Sequence, residues 1–262
     1  MAQIITVANQ KGGVGKSTTA YAVGKGIMER GFRVLFIDLD PQSNLSYTIQ
    51  ADDTKPTAYE LLTLKAPIQG LIQQTAGGDI LPSSAMLSVA DVEVTAIGKE
   101  FRLKEALVSL IGSYDYIIID TPPSLGILTI NALVASDAII IPAQADVYSL
   151  QGIGQLYSTI DAVKRYCNPN LKVLGIVLTR YTPRSILSRD MSQIIEETAQ
   201  KMQTKVFHTV IRECIALKEA QASRSDIFCY APKSNAAADY RSLIAEILGE
   251  EGEYGAKKFQ AK

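Results

Sequence analysis

The stretch Gln10-Lys11-Gly12-Gly13-Val14-Gly15-Lys16-Ser17-Thr18 constrains this chain more than any other. It follows an apolar run, Ile4-Ile5-Thr6-Val7-Ala8, that reads as a buried strand, and it precedes Thr19 to Arg30, which reads as a helix. Strand, glycine loop and Gly-Lys-Ser at a helix start are the context of a phosphate-binding P-loop. Glycines let backbone N–H groups turn inward and approach phosphate oxygens without a Cβ clash. The helix N-terminus adds its free N–H groups and the positive end of its dipole. On this reading Lys16 reaches the β- and γ-phosphates of a bound nucleotide, and the Ser17 hydroxyl ligates Mg²⁺. Gln10 stands where a standard P-loop has its first glycine, and a second lysine, Lys11, opens the loop.

The rest of the chain repeats the alternation of apolar strand and helix. Strands are expected at 33–37, 79–82, 114–119, 138–142 and 172–178, and helices at 149–165, 185–202 and 234–248. A short helix fits 58–64 in an otherwise irregular stretch from 43 to 78. Helical spacing also runs from Ser88 to Ile111, with Phe101, Leu103, Leu107 and Leu110 as core residues. Alternation of this kind indicates βαβ units and a mostly parallel, twisted sheet with helices on both faces, the α/β fold of a P-loop NTPase. No repeat or linker divides the sequence, so one domain is expected over 1–249, with a charged, flexible tail at 250–262.

In open parallel sheets, ligands bind beyond the carboxyl ends of the strands. Asp38 and Asp40, Asp120, and Thr179-Arg180 all fall at such ends. A buried strand rarely ends in a bare carboxylate without a metal or a donor beside it. Asp120 therefore reads as a Mg²⁺ ligand, direct or through water, with Asp38 as a supporting partner. Asp40 is the candidate for positioning the attacking water, because phosphoryl transfer needs an in-line nucleophile more than a strong base. Lys16 and Lys11 would offset the charge that builds on the β–γ bridge.

Net charge is only −1, so the whole chain does not read as a polyanion binder. The bias is local. Arg180, Arg184, Arg189, Lys201, Lys205, Arg212, Lys218 and Arg224 share one stretch, diluted by Glu196, Glu197, Glu213 and Glu219. Cys167, Cys214 and Cys229 are too scattered for a disulfide framework or a zinc site, and free thiols fit a reducing cytosol. His208, the single histidine, reads as structural. No signal-peptide pattern opens the chain.

The loop variant Lys-Gly-Gly-x-Gly-Lys-Ser/Thr resembles the deviant Walker A box of the ParA/MinD ATPases. Ala8 to Thr19, Ile37 to Asn44 and Tyr114 to Leu133 are together similar to the three signature boxes of the ParA/Soj DNA-partition ATPases, and Tyr230-Ala231-Pro232-Lys233-Ser234 resembles their C-terminal segment. The resemblance implies a dimer closed face to face on two ATP molecules. Lys11 would cross the interface to the partner's phosphates and Asp40 would position water. Asp146 and Gln151 would lie in a dimer-facing loop. Gly12, Gly13, Val14, Gly15 and Thr18 would complete the phosphate cradle, and Thr179, Arg180, Ile211, Arg212 and Glu213 would flank the adenine. It further implies a cytoplasmic, nucleoid-associated protein whose ATP-bound dimer coats nonspecific DNA. A centromere-bound, ParB-like partner would stimulate its weak hydrolysis.

The chain departs from the family where DNA contact is expected. Chromosomal members read Ile-Pro-Arg-Asn-Val-Arg-Leu-Ser-Glu-Ala; here the segment is Ile211-Arg212-Glu213-Cys214-Ile215-Ala216-Leu217-Lys218-Glu219-Ala220. Arg184, Arg212, Lys218 and Arg224 are the DNA-contact candidates. A membrane-surface ATPase resembling MinD would need an amphipathic C-terminal helix, for which Glu250 to Lys262 offers only Tyr254 and Phe259. An iron–sulfur reductase would need paired cysteines. A tyrosine kinase of the superfamily would need a tyrosine-rich tail, and a ligase resembling dethiobiotin synthetase would not carry Lys11 or the Asp-Pro-Gln box. A positioning ATPase for protein cargo shares every motif and stays as the alternative. With the first strand at residue 3 or 4, no N-terminal DNA-reading domain is expected.

Overall fold

A computed structural model describes residues 2–182 and 185–250. In chain order the strands are β1 (Gln3–Val7), β2 (Val34–Asp38), β3 (Gln73–Thr75), β4 (Gly78–Leu81), β5 (Tyr116–Asp120), β6 (Ala138–Ala143) and β7 (Lys172–Leu178). The helices are α1 (Lys16–Met28), α2 (Asn44–Ile49), α3 (Ala58–Leu62), α4 (Ala90–Glu93), α5 (Arg102–Leu107), α6 (Ile127–Ala135), α7 (Val147–Tyr166), α8 (Ile186–Lys201), α9 (Ile215–Ala222), α10 (Ile227–Tyr230) and α11 (Asn235–Leu248).

The strands form one sheet in the order β3-β4-β2-β5-β1-β6-β7, parallel throughout except for the antiparallel β3–β4 hairpin at one edge. Parallel strands need helical crossovers, which cover both faces and make central strands apolar on both sides. β2 shows this directly. Val34 and Phe36 enter the layer shared with α1 and α11, while Leu35 and Ile37 enter the layer shared with α3, α5 and α6. The β6–β7 side packs on α7 and α8 through Ile139, Ile141, Ile153, Leu156 and Ile195. One close approach sets the α1–β2 spacing: a Cβ on Gly24 would lie 2.2 Å from the Phe36 ring.

The helix expected over 88–111 is broken in the structure into α4, α5 and short 3₁₀ turns. Two causes are local. Val94-Thr95 is β-branched, which disfavours helix, and Gly98 has a left-handed backbone with φ +78°. The third is tertiary: Asp91 accepts from the Ile127 N–H at the start of α6, at 2.7 Å. Leu103, Leu107 and Leu110 are buried as expected, whereas Phe101 is half-buried. His208 is exposed, and its backbone N–H donates to Glu246 on α11. Glu250 pairs with Arg30 at 2.6 Å. The expectations for the tail beyond it, Tyr254 and Phe259 included, lie outside the described residues.

β5 leads across β1 into β6, so connections leave the β1 region in opposite directions and open a crevice at the carboxyl ends of the strands. Val7, Asp38 and Asp120 end three adjacent strands in register there.

Candidate nucleotide site

The loop after β1 enters the crevice with Gly13 at φ +75° and Gly15 at φ +85°, the left-handed region that suits glycine. α1 starts at Lys16, earlier than expected, so the first N–H groups of the helix belong to the loop itself. Thr179 at the end of β7 donates its hydroxyl to the Val14 carbonyl at 2.8 Å and anchors the loop from the side. The loop lines a cavity of about 570 Å³, which also takes in Ser17, Thr18, Asp40, Arg180, Ile211, Arg212 and Glu213.

Lys16 is 6% exposed and donates to the Lys11 carbonyl at 3.2 Å. Burial lowers its pKa, against the pull of Asp120 and Asp40. Lys11 turns to its own chain. Its Nζ lies 2.5 Å from Asp146 Oδ2 and 3.0 Å from Gln144 Oε1. The Gln144 amide in turn donates to the Gly13 carbonyl at 3.2 Å, so the loop is clasped to the start of α7. Burial works to raise Asp146, but its bonds to Lys11 and Ser149 outweigh that and hold it below the ordinary carboxylate range.

The three strand-end aspartates are in different states. Asp38 is saturated: Oδ1 accepts from the Asp40 N–H at 3.0 Å, and Oδ2 accepts from the Ser46 N–H at 2.8 Å and hydroxyl at 2.7 Å. With both oxygens engaged, it braces the loop that carries Asp40 instead of offering a direct metal ligand. Asp40 is 6% exposed and lines the cavity. Its Oδ1 accepts from the Gln42 N–H at 3.0 Å, and its carbonyl accepts from the Ser83 hydroxyl. Asp120 is fully buried, and neither of its oxygens accepts a well-formed hydrogen bond. Burial, with Asp38 beside it, pushes its pKa well up; the approaching Ser17 hydroxyl and Lys16 offset this only in part.

An orphaned buried carboxylate beside a P-loop serine fits Mg²⁺, which takes one or two protein ligands and fills its remaining positions with water and phosphate oxygens. Among the described residues no cluster of three or more His, Cys, Asp or Glu could hold a metal by itself.

These carboxylates predict a pH dependence. Burial pushes Asp38 up to about 6, with its bonds from Ser46 and Asp40 resisting. A raised pKa means that the native state binds the proton more tightly than the unfolded chain does. The stabilisation from protonation is complete below the unfolded value of about 4 and is lost as pH rises through about 6. The nucleotide-free, Mg²⁺-free chain should therefore melt a few degrees higher at pH 5.5 than at pH 7.5. Asp120→Asn should flatten that slope. Thermal unfolding against pH tests this, and a slope of the opposite sign would show the pair to be hydrated in solution.

The nucleoside side of the cavity is built across long sequence separations. Tyr181 and Arg212 form a parallel bridge, and Thr18 accepts from the Gln221 side chain at 2.7 Å. Arg212 does not present a bare guanidinium to DNA. It is tied to Asp239 on α11 through Nε at 2.8 Å and Nη2 at 2.5 Å. Lys218 pairs with Glu213, and Arg224 lies 4.0 Å over the Tyr47 ring. Among the described candidates, Arg212 and Lys218 are each paired with a carboxylate and Arg224 is exposed over a tyrosine ring, while Arg184 lies outside the described residues. Asp239, Gln221, Gln144 and Ser149 are site neighbours that sequence reasoning missed. No local spacing signals them, because each reaches the site from a distant segment.

A glycine loop opening α1 at the crevice of a doubly wound parallel sheet, faced by buried aspartates, defines a P-loop nucleoside triphosphatase. Residues 2–173 match the profile of the AAA domain family. The chain is 40% identical to the sporulation initiation inhibitor protein Soj of Bacillus subtilis, over 94% of this chain and 98% of Soj. It is 39% identical to the chromosome partitioning protein ParA of Myxococcus xanthus, over 94% and 88%. Cobyrinic acid a,c-diamide synthase from Mycobacterium smegmatis superposes with a TM-score of 0.82 at 33% identity, over 97% of this chain and 98% of that one. Its structure is solved with ADP and with an ATP analogue, each with magnesium. The chain belongs to the ParA/Soj family.

Proposed function

We propose that this chain is an ATP-dependent DNA-partition ATPase. The observation that carries the reading is one glycine loop with two lysines: Lys16 faces Asp40 and the orphaned Asp120, and Lys11 turns out to Asp146. The loop N–H groups and Lys16 bind the triphosphate, with Thr179, Arg180, Ile211, Arg212 and Glu213 around the nucleoside. Ser17 and Asp120 would hold Mg²⁺, which neutralises charge on the phosphates when bound. Asp38 fixes the Asp40 backbone, and Asp40 orients water for in-line attack. Hydrolysis is slow in the isolated chain.

Lys11 exchanges its contact with Asp146 for phosphate oxygens of a second protomer, so ATP closes a dimer. Proteins named for chromosome partitioning, at 39% identity, support DNA as the cargo track. The dimer binds DNA without sequence preference through its phosphates. A ParB-like, centromere-bound partner accelerates hydrolysis and releases it. The setting is the cytoplasm, on the nucleoid. No helix among the described residues is long and apolar enough to cross a membrane. The synthase reading suggested by the mycobacterial structure is less favoured, because the relatives at higher identity carry partition and sporulation names.

The test is Lys11→Gln. Its neutral amide keeps polar contact with Gln144 and Asp146 but cannot supply the cross-interface cation. It should bind ATP with near-parental affinity and remain monomeric by light scattering with a nonhydrolysable analogue, where the parent chain dimerises. A normal ATP dimer in the variant would remove Lys11 from the interface.

A further inference from the structure

Glu213 holds two cations at once. The segment 211–213 runs beside 179–181: Tyr181 N–H donates to the Ile211 carbonyl at 3.0 Å, and Glu213 N–H donates to the Tyr181 carbonyl at 3.4 Å. This pairing sets Arg180 and Glu213 side by side, with Arg180 Nε 3.4 Å from Glu213 Oε2. Past Cys214 the chain turns into α9, whose first turn brings Lys218 Nζ to 3.3 Å from Oε1. Each carboxylate oxygen therefore faces one cation, and the two cations come from different segments. The side chains of Arg180, Glu213 and Lys218 are 48%, 45% and 61% exposed.

Exposed pairs of this kind contribute little to stability and are screened by salt. What the arrangement does impose is a spacing: Arg180 and Lys218 are held apart by the width of one two-oxygen anion. A backbone phosphate presents the same charge through two oxygens, and guanidinium and ammonium groups bind it as readily as they bind a carboxylate. Of the other basic groups at this corner, Arg212 is committed more deeply, to Asp239, whereas Arg224 is exposed over the Tyr47 ring.

We propose that Glu213 is a built-in competitor for a DNA phosphate. It occupies the anion position between Arg180 and Lys218, offsets one of their two positive charges when no DNA is present, and must be displaced when the backbone docks. This rests on the DNA-binding reading above. It carries a counter-intuitive sign: removing a residue from the DNA surface should tighten binding. A single protomer, with its cations so occupied, holds DNA weakly. Two protomers in an ATP dimer supply two such positions, and their contributions multiply.

Arg180, Glu213 and Lys218 all lie along the lining of the nucleotide cavity as well. Each variant is therefore first titrated with ATP, and DNA binding is compared at saturating ATP and Mg²⁺. The probe is fluorescence anisotropy on two unrelated duplexes at two salt concentrations. Glu213→Gln keeps the shape and removes the charge. It should bind DNA about tenfold more tightly than the parent at low salt, roughly threefold per protomer for an exposed pair. Its log–log salt slope should steepen by about 0.9 for each further phosphate neutralised. Glu213→Gln/Lys218→Gln should fall back to parental affinity or below. If the parent binds DNA with ATP, Lys218→Gln weakens it and Glu213→Gln is no tighter, the competitor role is wrong while the DNA reading stands. If no variant binds DNA in any nucleotide state, the DNA reading fails and takes this proposal with it.

Discussion

Asp40→Ala should bind ATP as tightly as the parent chain and hydrolyse it at least about a hundredfold more slowly, the usual scale for losing a group that handles the nucleophile. The expectation follows from how firmly the residue is held. Its backbone N–H is fixed by Asp38, its carbonyl by Ser83 and one carboxylate oxygen by the Gln42 N–H. Ser43, at φ +53°, closes the turn by donating to the same Asp40 carbonyl at 2.8 Å. So many restraints on one turn leave the carboxylate little freedom, and in phosphoryl transfer a fixed orientation of water supplies much of the rate. None of these contacts is made by a residue of the glycine loop, so truncating Asp40 should leave the phosphate cradle intact. ATP would then bind without turning over, and the dimer should accumulate. Single-turnover hydrolysis and light scattering read the two halves of the result. Parental hydrolysis in this variant would assign the water to another group. Asp40→Asn, which keeps the acceptor for Gln42, should fall between the two.

What could be read from the sequence and what could not divides along a physical line. The strands around the crevice were legible because each is an apolar run ending in a polar residue: Ile37 before Asp38, Ile119 before Asp120 and Leu178 before Thr179. The glycine loop was legible because its chemistry is local, with backbone N–H groups, a helix start and two lysines inside nine positions. The region from 88 to 111 misled. Its leucine spacing is helical, but Gly98 and the use of Asp91 as a cap for α6 break the run, and the second cause is invisible locally. The run from Ile127 to Ala135 is buried on nearly every side, so it carries no amphipathic period to mark it as a helix. In the basic stretch from 180 to 224 the sequence is silent on pairing. Charge counting treats each cation as available, whereas Arg212 answers to Asp239 on the last helix and Lys218 answers to Glu213. Such pairs are decided by tertiary contact, and the same is true of Lys11 with Asp146.

Lys16→Met should reduce ATP affinity by at least about two orders of magnitude, in line with truncating one partner of a desolvated charge contact. Lys16 is the more buried of the two loop lysines, and the carboxylates of Asp120 and Asp40 help keep it charged against the cost of burial. Its single hydrogen bond, at 3.2 Å to the Lys11 carbonyl, leaves two ammonium protons for phosphate oxygens. Methionine keeps the length and apolar contacts of the stem, so loss of packing contributes little to the result. Removing the cation that offsets part of the burial cost of Asp120 should push that carboxylate further toward its protonated form. The variant should therefore fold but show a steeper rise in melting temperature on acidification than the parent chain. That second readout separates a lost phosphate contact from a collapsed loop, since a collapsed loop would lower stability at every pH. Calorimetric titration with ATP and Mg²⁺ measures the first effect. Parental affinity in Lys16→Met would overturn the assignment of this loop as the phosphate site. Weak binding in Lys11→Gln together with strong binding in Lys16→Met would exchange the roles of the two lysines.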